Sequence, residues 1–217
     1  MPKGYDFSPL EAFQHAERLR QAALSIGWIS VEWSRLKGDV GEAMVGMSGQ
    51  TTLLALSIEI YFKCLGKLSG KSLGGHKLLD LFLKLDRSDQ AAIEQRFVVL
   101  RDKGLFAHTP LYFPPVFRTK SSKGKNFDPL KDDTDIKALL NDNNDAFIEW
   151  RYSYERGRQG TATGQLSLVA RAAREYIAVD KKPEWSSEML HDNWTKQMAA
   201  GERPTRKRSF NNNESTK

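Results

Sequence analysis

The sequence predicts an all-α protein: a helical bundle of about five to seven helices with a long Pro/Lys-rich loop and a disordered basic C-terminal tail. Three observations carry that prediction. Apolar residues recur at helical spacing through most of the chain, no strand-like alternation exceeds four residues, and helix-start chemistry stands where the periodic stretches begin. With 217 residues, 40% of them hydrophobic and 28% charged, the chain can bury one real core and is too charged for a membrane protein. The expected organisation is one domain over residues 1–199, with its core at 50–176, a long loop at 104–133 and a tail at 200–217.

The elements follow in order. Ser8-Pro9-Leu10-Glu11 is a helix start: Ser8 can accept an early backbone N–H, Pro9 suits the first helical position, and Glu11 completes a capping box. Leu10, Phe13, Leu19, Ala23 and Ile26 give that helix its apolar residues, and it can run on through Val31 and Trp33. Gly38, Gly41, Gly46 and Gly49 then predict a loop or a frayed helix. From Ser48 to Leu68, apolar residues cover most of the helix circumference, which marks a central, nearly surrounded rod. A turn at Gly70, Gly74 and Gly75 leads to a helix over His76–Leu85. Ser88 and Asp89 offer caps for the next helix, whose face is Ile93, Phe97, Val98 and Leu100.

Between Gly104 and Asp133 the periodicity fails, and Pro110, Pro114, Pro115 and Pro129 describe the long loop. Helical spacing resumes at Ile136–Leu140, then at Asp145–Tyr152 with Asn144 or Asp145 as cap, and again from Leu166 to Val179. Pro183 ends that helix, and Trp185–Met198 reads as a short terminal one. From Gly201 the chain has little to bury and reads as disordered.

The net charge of +6 is concentrated in two of these segments, Arg118–Lys125 and the tail. Such runs attract polyanions by counterion release and also keep a protein soluble. The start of the chain shows no secretion signal, no stretch is long and apolar enough to span a bilayer, and the single cysteine, Cys64, cannot form an intrachain disulfide. A cytoplasmic protein without membrane contact is therefore expected. No histidine–cysteine spacing suggests a metal site, and no glycine-rich phosphate cradle is present, so neither a metal nor a cofactor is expected.

Three stretches together resemble the HEPN superfamily of small helical bundles found in bacterial defence, toxin–antitoxin and RNA-processing systems. Leu56–Leu65, with Glu59 and Lys63, is similar to its Glu-x-x-x-Lys core helix. Gly75-His76-Lys77-Leu78 is similar to its Gly-His-x-Leu helix start, and Phe147–Glu155 to the Arg-Tyr helix of its non-toxin branches. The resemblance covers about Gln50 to Tyr176 and implies a bundle that commonly forms a homodimer. It also implies contacts with RNA or with a protein partner. In nuclease members an Arg, four to six residues and a His cleave RNA without a metal: the His moves a proton and the Arg holds the phosphate.

Arg101 and His108, with six residues between them, fit that pattern, although the resemblance places the nuclease motif near Arg151 instead. The plainer reading is a helix-terminal arginine and a loop histidine. Around Arg151, Tyr152, Tyr154 and Glu155 no histidine is near, so this position lacks a proton carrier. Arg151 could bind a phosphate and Tyr152 or Tyr154 could stack on a base, or Arg151 could serve a buried ion pair. Glu59 and Lys63, four apart with the acid first, are expected to pair on their helix. With Ile58, Ile60 and Phe62 as neighbours they are expected inside the bundle, with Arg151 as a third member. His76 completes the candidate binding residues. The sequence thus leads to a HEPN-like module that is non-catalytic or weakly catalytic and works through RNA or protein contacts. Its alternatives are a metal-independent ribonuclease and a purely structural partner-binding protein.

Overall fold

The first helix begins where its capping chemistry dictates. In the computed structural model, Glu11 N–H donates to Ser8 Oγ (3.2 Å) while Ser8 N–H donates to the Glu11 carboxylate (2.8 Å), a reciprocal capping box. The structure describes residues 7–37, 40–103, 135–144 and 163–188, the side chains of 28, 30–37, 40–48 and 163 excepted. The long loop, the Arg-Tyr stretch with Arg151, Tyr152, Tyr154 and Glu155, His108 and the C-terminal tail lie outside the described residues. Among those described, every regular element is a helix, and the protein is an all-α bundle.

Two helices of 29 residues, α1 (Pro9–Lys37) and α2 (Val40–Leu68), pair antiparallel. Their register is set by Cys64 Sγ donating to Pro9 O (3.2 Å) at one level and Ser57 Oγ donating to Ala16 O (2.9 Å) at the next. α2 is the expected rod: from Leu54 to Leu65 no residue is exposed. It starts earlier than the sequence suggested, however. The glycines at 41, 46 and 49 lie inside the helix where a loop or a frayed helix was expected, and Gly38 lies outside the described residues. Helix propensity is a weak prior, and pairing with α1 offsets about 1 kcal/mol lost at each glycine.

α2 ends in a Schellman motif: Lys71 N–H donates to Gly66 O (2.8 Å), Gly70 N–H donates to Lys67 O (3.0 Å), and Gly70 takes φ +72°. Gly66 is required as well, because a Cβ there would fall 2.5 Å from Leu73 Cγ. α3 (Leu78–Lys84) packs Phe82 on Phe62, ring centres 5.5 Å apart. Burial of two such rings contributes on the order of 2–3 kcal/mol each. The N-cap of α3, Lys77, has no capping side chain of its own; Asn144 reaches across to accept from Leu79 N–H at 2.8 Å. The helix for which the sequence offers Asn144 or Asp145 as cap lies outside the described residues.

α4 (Arg87–Asp102) starts after Asp86, not at Ser88 or Asp89, and Asp89 is fully buried in its first turn. α5 (Ile136–Asp142) is capped by Asp135, which accepts from Lys137 N–H. α6 (Thr163–Glu175) packs on α2 and α4, then widens into a π-helical turn over Tyr176–Lys181, closed by Lys182 N–H donating to Ile177 O (2.8 Å). A 3₁₀ turn over Pro183–Glu188 follows where a helix from Trp185 was expected, and it lays Trp185 on Phe13, ring centres 5.7 Å apart.

Candidate functional site

Glu59, Lys63 and His76 meet. Glu59 and Lys63 lie one turn apart on α2, and the Gly70–Gly75 turn returns the chain so that His76 arrives beside them. Lys63 Nζ stands 2.7 Å and His76 Nδ1 2.9 Å from the same carboxylate oxygen, Glu59 Oε1. The group differs from the interior cluster expected. Glu59 is buried, but the Lys63 side chain is 28% exposed and that of His76 84%, so the trio sits at the rim of the bundle and both Lys63 and His76 reach water. Lys63 is unbranched and carries its ammonium past Ile60 to the surface, as long cationic side chains do.

The interior charge cluster lies elsewhere, on residues that the sequence does not single out. Glu17 of α1 is fully buried and accepts from Arg20 Nε (3.3 Å), from Arg174 Nε of α6 (3.0 Å) and from the hydroxyl of Tyr61 on α2. Arg20 and Arg174 are themselves buried, at 3% and 8% exposure. Burial, with the Glu17 charge beside it, pushes the Tyr61 phenol well above its ordinary pKa, so Tyr61 stays a donor. The cluster joins three helices, and it marks the core of the bundle as polar on one side. Its signal in the sequence is faint. Glu17 and Arg20 share the stripe of Phe13 and Ala16, positions whose neighbours are buried.

A second fully buried carboxylate, Asp89, accepts from Tyr176 Oη (2.7 Å) and pairs with Lys181 Nζ (2.8 Å). In an α-helix, residues five apart point to different sides. The i→i+5 turn at 176–181 brings Tyr176 and Lys181 onto one carboxylate. The guanidinium of Arg96 lies 5.4 Å from the Tyr176 ring centre and pairs with Asp180. Next to it, α4 and α6 wall an open groove of about 380 Å³. Arg96, Val99, Leu100 and Lys103 line it from α4, and Arg171 and Glu175 from α6.

Arg101 stands in the last turn of α4, its guanidinium 6.0 Å from the Phe97 ring centre and its Nε 3.3 Å from Asp102 Oδ1. Its sequence partner His108 lies outside the described residues. Among the described residues no group of three His, Cys, Asp or Glu side chains is placed to hold a metal ion, and no helix is long and apolar enough to cross a membrane.

Cys64 is built to be inert. Burial pushes its thiol up to about 12, and the S–H is engaged with Pro9 O. Because the pKa is raised in the fold, the folded chain keeps this proton while the unfolded chain releases it above the ordinary value of 9.0. The thiol's contribution to stability is therefore complete below that value and is lost as the pH climbs toward about 12. Urea titrations across this alkaline range are expected to show a declining unfolding free energy. Cys64→Ala should flatten that decline, and an unchanged slope in the variant would show that the thiol takes no part. Comparison of the chain with protein-family models, with curated proteins and with solved structures finds no match.

Proposed function

We propose that the chain is a HEPN-like helical module that works by contact, with RNA or with a partner protein, and not by catalysis. It would act as a cytoplasmic homodimer in a bacterial defence or RNA-related system. One observation carries the reading. The buried carboxylates Glu17, Glu59 and Asp89 each bind cations or phenols of the chain itself, an arrangement suited to holding helices together and not to exchanging protons with a substrate. The resemblance of Glu59, Lys63 and His76 to the family's helix motifs is supported by their meeting at one carboxylate oxygen. Total RNA incubated with the purified protein in EDTA is expected to stay intact. A gel shift that weakens with salt and is lost on deleting residues 201–217 is expected alongside it. The rival reading, a metal-independent ribonuclease using Arg101 and His108, gives the opposite result in the same tube: RNA cleavage that His108→Ala abolishes. That outcome would overturn the proposal.

A further inference from the structure

We propose that the groove between α4 and α6 docks an acidic amphipathic helix of a partner protein. This rests on the contact reading above and names both the surface and the chemistry of the occupant.

Arg96 on α4 and Lys103, its C-cap residue, lie seven residues apart, hence on one face and about 10 Å from each other along the axis. Val99 lies between them and is 44% exposed, an apolar residue framed by two cations. Arg171 faces them from α6, held by Glu175 at 2.7 Å. The ion pairs of Arg96 with Asp180 and of Arg171 with Glu175 are partly exposed, and such pairs hold their partners weakly, so an incoming carboxylate can join or replace them. The lining thus carries three cations, Arg96, Lys103 and Arg171, against the single carboxylate of Glu175, with Val99 and Leu100 as its aliphatic residues.

A helix laid along α4 repeats the same interval. Acids at its own positions i and i+7 meet Arg96 and Lys103, and an aliphatic residue at i+3 or i+4 rests on Val99, which is the helix-in-groove mode of recognition. Single-stranded RNA fits less well. None of the lining residues is aromatic, so the groove offers a base no aromatic platform, and Val99 offers nothing to a phosphate.

The test uses the full chain and three fluorescent probes: a helical peptide with glutamates and leucines in that pattern, the same peptide with lysines for glutamates, and an oligouridylate. Fluorescence anisotropy should show binding of the acidic peptide and not of the basic one, and any oligouridylate binding should be lost with residues 201–217 and ignore the groove substitutions. Val99→Asp, and separately the double variant Lys103→Glu/Arg171→Glu, should each weaken binding of the acidic peptide by about tenfold or more, as expected for loss of a central anchor or of its charge partners. These positions are on the surface, and an unchanged helical circular dichroism spectrum checks that the variants fold. Failure of the acidic peptide to bind, or binding that ignores both sets of substitutions, overturns the proposal. Binding of the oligouridylate in its place, weakened by the same substitutions, overturns it too and assigns the groove to RNA, while the contact reading stands. Cleavage of the oligouridylate sinks the contact reading itself.

Discussion

Replacing Glu17 by alanine is expected to destabilise the protein by about 3–5 kcal/mol, the cost typical of breaking a buried ion cluster by removing one partner. Glu17 is the point where Arg20, Arg174 and Tyr61 converge, and all four residues are buried. Its loss leaves two guanidiniums without the carboxylate they share and the Tyr61 hydroxyl without its acceptor, in a region where water does not reach. For a chain of this length that corresponds to a melting temperature lower by on the order of 10 °C. Glu17→Gln separates charge from shape, since it keeps the volume and one acceptor. If the charge dominates, the glutamine variant loses nearly as much as the alanine variant. Equilibrium urea denaturation reads both, and midpoints matching the parent protein would remove the cluster as a determinant of the fold.

Phe13→Ala is expected to cost a similar amount, about 3–5 kcal/mol, by a different route. Phe13 is fully buried and touches Tyr61, with ring centres 5.9 Å apart, and Trp185. Removing the ring opens a cavity where α1, α2 and the 3₁₀ turn meet, and rigid helices close such a space only in part. Phe13→Leu should recover most of the loss. The fluorescence of Trp185 should shift to the red in the alanine variant and much less in the leucine variant. Equal stability of the two variants would show that the site collapses freely.

These two residues also show what could be read in the amino-acid sequence. Phe13 belongs to a helical spacing and was legible as core. The Ser8–Glu11 cap, the α2 rod and the helix resuming at Ile136 were legible for the same reason: each is signalled within a turn or two of itself. Glu17 and Arg20, three apart on a helix, read like any pair on a solvated face. Only the partner on α6 makes them interior, and nothing local announces Arg174. Asp89 misled for the same reason. It stood where a cap is expected, yet its side chain is held by Tyr176 and Lys181, brought together by a π-helical turn that no spacing rule foretells. The glycines in the first part of α2 misled in the other direction, since tertiary pairing overrode their propensity. Of the candidate site, the Glu59–Lys63 pair was legible and its depth was not. Depth depends on which neighbours cover a side chain, and Lys63 is long enough to escape them.

The Glu17–Arg174 contact spans 157 positions, nearly the whole distance between the first and last described helices. A ribosome delivers the α1–α2 hairpin long before it delivers α6. Through that interval the nascent hairpin holds Glu17 and Tyr61 without the guanidinium that completes their cluster, so vectorial synthesis finishes the centre of this protein from its far end.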